Sequence, residues 1–337
     1  VVIFTAMQVN KSIKIFINYF FGPLLFAWLA FSIYRNIISQ PHLQVSWQQI
    51  KRSFESVQFF YLIAALLLIF VNWGIEAWKW KLLVARIYPV SFVQSFKAVL
   101  SGVTFSVTMP NRIGEYLGRV LYLPEGSRLK TISVTLVGSF AQVLTTFFAG
   151  IIGLVVLKKH FLYAYPHADG WYIVILYALV FLVIILTLLY FNVAGIIFLF
   201  RRWIKNKSYF YLIESLQGFQ LKLLSQILLL SFFRYLVFVI QYILVFYLFE
   251  VNVSALIIAW VMSLVFLTMA VVPSIALIEV GVRGEVSLKL MGMFSANSLG
   301  IGLTSITVWF INLVLPAIIG SILLLNIKIF TKRNGEI

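Results

Sequence analysis

The chain has no cysteine and a single aspartate, Asp169. Disulfides, thiolate nucleophiles and Cys-ligated metals are therefore excluded. Three histidines, His42, His160 and His167, fall in expected loops, so no His/Asp/Cys cluster is at hand for a metal ion. No Walker A loop, nucleophile elbow or paired-carboxylate motif occurs, and no cofactor is expected. Charge itself is scarce: 11% of the 337 residues are charged and 62% are hydrophobic. A soluble domain carries about a quarter charged residues. This balance excludes a cytosolic enzyme, a nucleic-acid-binding domain and a disordered chain.

What is present is a series of long apolar runs, which define an all-α, polytopic integral membrane protein. The net charge is +16, but the bases cluster in short groups beside the apolar runs. That is the pattern of juxtamembrane anchors, and no nucleic-acid partner is expected. Charge-free runs predict about six full spans, at 15–34, 56–75, 131–157, 171–200, 223–249 and 301–325. The second ends in a tryptophan-rich segment, Trp73, Trp78 and Trp80, expected as an interfacial belt. The 98–111 run is too short to cross a bilayer that needs about 20 residues, and predicts a re-entrant hairpin. A second broken pair is expected at 254–272 and 281–294, with a turn over 295–302 before the last span.

With both termini on the cytoplasmic face of a bacterial inner membrane, 17 bases fall inside and 6 outside, leaving Arg112, Arg234 and Arg283 at membrane depth. This bias follows the positive-inside rule. In that topology two units, 98–157 and 254–327, have opposite orientation within one domain covering 1–337. Inverted repeats with broken helices are a transporter arrangement.

Two constellations carry the chemistry. The first is Pro110-Asn111-Arg112-Ile113-Gly114-Glu115, with Arg119 one turn beyond Glu115. Proline suits the first turn of a half-helix, whose N–H groups attract an anion. The second is Pro273 followed by Glu279-Val280-Gly281-Val282-Arg283-Gly284. In both, Glu and Arg are four apart and share a helix face. Pro110, Gly114, Pro273, Gly281 and Gly284 are expected hinges. The bland alternative is a set of ion pairs that only fix each hairpin. Ionisable residues inside a membrane nevertheless point to function. Arg234 lies within its span and either faces a cavity or snorkels to the surface. Glu76 follows Asn72 on one face, near an expected membrane end; it is read equally as a surface partner of Lys79 or Lys81 and as a site residue.

These motifs, with the opening Asn18-Tyr19-Phe20-Phe21-Gly22-Pro23 and Ser32-Ile33-Tyr34, resemble the lysylphosphatidylglycerol synthase transmembrane family, also described as flippase-like. The opening looks like Bacteroidetes members. The resemblance spans nearly the whole chain and implies a membrane domain that moves lipids across the bilayer. The sequence departs from the bifunctional members, since 337 residues leave no room for an aminoacyltransferase domain. The second motif reads I-E-x-G-x-R-G, where many relatives have a glycine-rich stretch ending in an acid.

Together these readings predict a lipid flippase or scramblase rather than an enzyme. Arg112, Arg119, Arg234 and Arg283 would hold the phosphate of a phospholipid or polyprenyl-phosphate-linked lipid, since guanidinium offers bidentate donors. Glu115 and Glu279 would hold the arginines in the empty site. The alternatives are a membrane-embedded enzyme, for which Glu76 is the one acid without an arginine partner in sequence, or an accessory protein of cell-envelope synthesis enzymes.

Overall fold

The computed structural model describes residues 58–107, 113–192, 219–272 and 276–325, with the single positions 48, 215 and 216, and only the backbone at 168 and 276–278. The described chain is helical: α1 Phe59–Val84, α2 Phe92–Ser106, α3 Gly114–Val120, α4 Glu125–Ala164, α5 Asp169–Phe191, α6 Leu221–Leu248, α7 Ala255–Val271, α8 Ala276–Met291 and α9 Ser298–Leu325. Five of these, α1, α4, α5, α6 and α9, are long and apolar enough to cross a membrane. The protein is thus a polytopic membrane protein. The span expected over 15–34 lies outside the described residues.

The charge-free runs found the right elements but cut them short. α1 continues past 75 to Val84, because Glu76 and Lys79 neutralise each other one turn apart, 2.7 Å between Oε2 and Nζ. α4 has 40 residues, about 60 Å at 1.5 Å per residue, and so projects well beyond a hydrocarbon core of about 30 Å. The turn before the last span is also shorter than expected. Asn297 caps α9 by accepting from Gly300 N–H at 2.8 Å, so Gly300 and Gly302 lie within the helix. The Asn297 amide donates to the Phe249 carbonyl at 2.9 Å. That bond steadies the end of α6, where Glu250 adopts a left-handed φ of 58°, a conformation that glycine more often takes.

Hairpin α2–α3 is built backbone against backbone. A Cβ at Gly118 would stand 2.5 Å from the Ser101 carbonyl oxygen, and one at Gly102 would stand 2.7 Å from that of Glu115. Gly114 lies similarly against Phe105. Rising numbers on one arm thus meet falling numbers on the other, so the arms are antiparallel. At the open end Gln94 Nε2 donates to the Tyr122 carbonyl at 2.9 Å and Ser101 shares a hydrogen bond with Tyr122 Oη at 2.9 Å. The chain therefore leaves where it entered, as the short run predicts. Ser91 starts α2 by capping Gln94 N–H.

α7 and α8 form the second pair, packed against each other. Here the glycines differ. Gly281 and Gly284 have no described atom within 4 Å of where a Cβ would stand. Gly114, expected as a hinge, is also a point of close packing on the Phe105 backbone, while Pro110, Pro273 and Arg112 lie outside the described residues.

α1 and α6 are central and antiparallel. Lys79 meets Ser231, Asn72 meets Arg234, and Ala65 meets Gln241, so the numbers run in opposite directions. Around this pair the hairpins exchange partners. α2 packs on α9, where Gly320 lets the Leu100 backbone approach and Thr104 Oγ1 donates to the Ala317 carbonyl at 2.8 Å. α7 packs on α4, where Gly150 and Gly153 admit Leu267 and Ser263. Small residues let membrane helices approach closely. The tryptophan belt is corrected: only Trp78 is exposed, whereas Trp73 and Trp80 are buried in the core, Trp80 donating to Thr135 Oγ1 at 3.1 Å.

Candidate functional site

The longest-reaching side chains of α1, α3 and α6 converge on one carboxylate. Glu76 Oε1 accepts from Arg119 Nη1 of α3 at 2.9 Å. Its Oε2 accepts from Arg234 Nη1 of α6 at 2.9 Å and lies 2.7 Å from Lys79 Nζ. Arg119 Nη2 also donates to Glu115 Oε2 at 2.8 Å. Glu76, Lys79, Arg119 and Arg234 are all under 9% exposed. Buried charges are tolerated in a membrane protein only when paired or lining a wet cavity. Here Lys79, Arg119 and Arg234 face the carboxylates of Glu76 and Glu115.

The surroundings hold each cation in place. Arg234 Nε donates to Asn72 Oδ1 at 2.9 Å, and its guanidinium carbon lies 5.2 Å from the Trp73 ring centre and 5.5 Å from that of Phe238. Lys79 Nζ reaches Ser231 Oγ at 3.5 Å, and its stem passes Gly138 of α4. Tyr116 Oη donates to Ser139 Oγ at 2.9 Å, tying α3 to α4. Among the described side chains at this cluster, Arg119 Nε and Trp73 Nε1 are buried with no acceptor. Buried donors without an acceptor are rare.

A second, smaller group forms on α8. Glu279 pairs with Arg283, and Arg283 Nη1 donates to Tyr242 Oη of α6 at 3.2 Å. Arg283 Nε and Ser287 Oγ are buried without a described partner. Tyr242 and Arg234 are eight residues apart on α6, about 12 Å along the axis. At the mouth of hairpin α2–α3, burial pushes the Tyr122 hydroxyl above its ordinary range, so it stays protonated.

The expected residues are thus divided. Glu115, Arg119 and Arg234 meet in one cluster, while Glu279 and Arg283 form the other. Glu and Arg do pair four apart in both hairpins, as their spacing predicts. Arg234 does not snorkel. The largest correction concerns Glu76. It does pair with Lys79, one of the two partners expected, but it is not without an arginine: Arg119 and Arg234 meet it too, and α1 continues through it as helix. Lys79, counted among the inside bases, is buried beside it, whereas Lys81 lies 5.1 Å over the Trp78 ring. Ser231, Tyr242 and Asn312 carry no signal in the sequence alone. Asn72, Glu76 and Lys79 do stand at i, i+4 and i+7, which signals one polar face within an apolar helix.

An all-helical membrane bundle with a broken hairpin and ionised side chains in its centre defines a polytopic membrane protein with a buried polar site. The family model for the lysylphosphatidylglycerol synthase TM region matches residues 19–320 of the 337. The chain belongs to that family. Among curated proteins none matches the chain.

Proposed function

We propose that this protein is a lipid transporter of the flippase or scramblase kind, which carries an anionic or phosphate-linked lipid across the cytoplasmic membrane. The observation that carries the reading is the buried ionic cluster around Glu76, where Arg119 Nε and Trp73 Nε1 are buried with no acceptor among the described residues. A lipid phosphate would accept from these two donors. Arginine suits this role because its planar fork matches phosphate oxygens. Glu76 and Glu115 hold the guanidinium groups in place between loads.

Two features support a path for the whole lipid. An apolar groove of about 450 Å³ opens between α4, α5 and α6, lined by Leu144, Phe148, Val183, Leu228 and Phe232. Its lining has the chemistry of an acyl chain's surroundings. The exchange of hairpin partners, α2 on α9 and α7 on α4, supports reading 98–157 and 254–327 as inverted repeats. Under that reading Arg283 with Tyr242 is the second half's counterpart of Arg119 with Glu115.

The test is translocation of headgroup-labelled phospholipids and a polyprenyl phosphate in proteoliposomes. Wild type should move an anionic lipid. Arg234→Gln should abolish the flux, and Arg234→Lys, which keeps the charge and loses the fork, should retain only part of it. Both variants need to elute as folded protein. Folded wild type that moves no anionic lipid would remove this reading and favour an enzyme or accessory role.

A further inference from the structure

The buried polar atoms without a described partner are not all donors. Besides Arg119 Nε and Trp73 Nε1 there is an acceptor, the side-chain carbonyl oxygen Oε1 of Gln142 on α4. Buried side-chain polar atoms nearly all have a partner. An ionised phosphodiester only accepts hydrogen bonds. It satisfies Arg119 Nε and Trp73 Nε1 and can do nothing for Gln142 Oε1, which needs an O–H or an N–H.

Two sets of contacts place Gln142 at the cluster. α1 and α4 run antiparallel: Ala65 of α1 and Leu157 of α4 belong to one core cluster, whereas Leu83 lies against Gly138 and Trp80 bonds to Thr135. Trp73 and Glu76 lie between those levels on α1, as Gln142 does on α4. The second set runs through α3. Arg119 bonds to Glu76, and Tyr116, one turn away, bonds to Ser139. Gln142 is three residues beyond Ser139 and four beyond Gly138, whose face meets the Lys79 stem. Its side chain therefore leaves α4 on the side of α1 and α3.

A phosphodiester lipid answers both needs when the group esterified beyond its phosphate carries a donor. Building on the transport reading above, we infer that Gln142 selects the headgroup: its side-chain carbonyl accepts from a headgroup hydroxyl or ammonium while the phosphate sits on Arg119 and Trp73. Glycerol and sugars supply O–H, and ethanolamine supplies N–H. A methyl ester or a quaternary choline supplies neither and leaves Gln142 Oε1 buried without a donor. A site built to hydrogen-bond one group of its substrate discriminates against the analogue that lacks it, because the site's own polar atom is then left unpaired.

The experiment is calorimetric titration of the purified full chain in detergent with short-chain phospholipids in two charge-matched pairs. Phosphatidylglycerol against phosphatidylmethanol tests the hydroxyl, and phosphatidylethanolamine against phosphatidylcholine tests the ammonium. In at least one pair the donor-bearing lipid should bind about tenfold tighter, the worth of one such hydrogen bond, and the pair that shows it identifies the donor. Gln142→Leu should bind the donorless lipids as wild type does and treat both members of each pair alike. Gln142→Asn, which keeps the acceptor one methylene further back, should keep part of the preference. Equal affinity within both pairs in wild type overturns the proposal and leaves the phosphate seat standing, and so does a preference that Gln142→Leu retains. Folded wild type that binds neither anionic lipid removes the seat on Arg119 and Trp73, and the headgroup proposal with it.

Discussion

Asn72 donates its side-chain amide to Asn312 Oδ1 at 2.9 Å, and its own Oδ1 accepts from Arg234 Nε at the same distance. Asn312 sits in a π-helical turn, Phe310–Val314, inside α9. The local sequence explains that turn. Pro316 has no N–H to give the carbonyl four residues back, that of Asn312, and a wider turn absorbs the missing bond. The ion cluster of α1, α3 and α6 is thereby tied to the helix that also carries Gly320 against hairpin α2–α3. Asn312→Ala removes one interhelical hydrogen bond, and we expect a loss of about 0.6–1.7 kcal/mol. Asn72→Ala removes two and takes the acceptor from Arg234 Nε, so its cost should be larger, about 1–3 kcal/mol. Thermal unfolding in detergent orders the two, and equal effects would deny Asn72 its linking position.

Among the described residues, Glu76 is the acid that touches all three cations. Glu76→Gln keeps the shape but removes the carboxylate that Lys79, Arg119 and Arg234 share. Removing one partner of a buried ion set costs about 3–5 kcal/mol, chiefly because the remaining charges stay buried. Glu115 bonds to Arg119 alone and is more exposed, so Glu115→Gln should cost clearly less. A short-chain anionic phospholipid should restore part of the stability lost in Glu76→Gln, since it supplies the missing negative charge. Unfolding curves of the two variants with and without lipid check this order.

How much of this could be read from the sequence depends on the distance over which each feature is encoded. Spans and the hairpin at 98–120 follow from local composition, because a run of apolar residues is either long enough to cross or is not. The Glu115–Arg119 and Glu279–Arg283 pairs are set by helical spacing, and they too are legible. Glu76 was misjudged for a physical reason. Ending a span at its first charge assumes that the charge must meet water, whereas Glu76 is neutralised by Lys79 one turn on and by arginines from two other helices. Those partners lie 43 and 158 positions away in the chain, and no local pattern announces them. The same limit hid Tyr242 and Asn312, whose roles depend on α6 and α9 facing α8 and α1.

The glycines of the two hairpins should respond oppositely to the same substitution. Gly118→Ala would place a methyl 2.5 Å from the Ser101 carbonyl oxygen and 2.6 Å from Gly102 Cα. Backbone cannot yield as a flexible side chain can, so the arms must part and the variant should be strongly destabilised. Gly281→Ala meets no described atom within 4 Å and lies inside α8. There alanine should be neutral or stabilising by up to about 1 kcal/mol, from helix propensity. Fluorescence-detected size exclusion after heating measures both. Equal losses would mean that α2–α3 is not packed through its glycines.

The natural absence of cysteine makes the course of the chain directly testable. Ser91 precedes α2, Glu125 opens α4, and both are exposed. Gln94 and Tyr122 hydrogen-bond at the mouth of the hairpin, so both positions belong to one face of the membrane although two helices lie between them. Tyr163, near the far end of the 40-residue α4, is 91% exposed. A helix of that length cannot end on the side where it began. Single Ser91→Cys, Glu125→Cys and Tyr163→Cys variants in intact cells should therefore divide two against one when treated with a membrane-impermeant maleimide. On the positive-inside expectation the pair faces the cytoplasm, so Tyr163→Cys should be labelled from outside and the other two only after lysis. Opposite labelling of Ser91→Cys and Glu125→Cys would make α2–α3 a crossing rather than a hairpin.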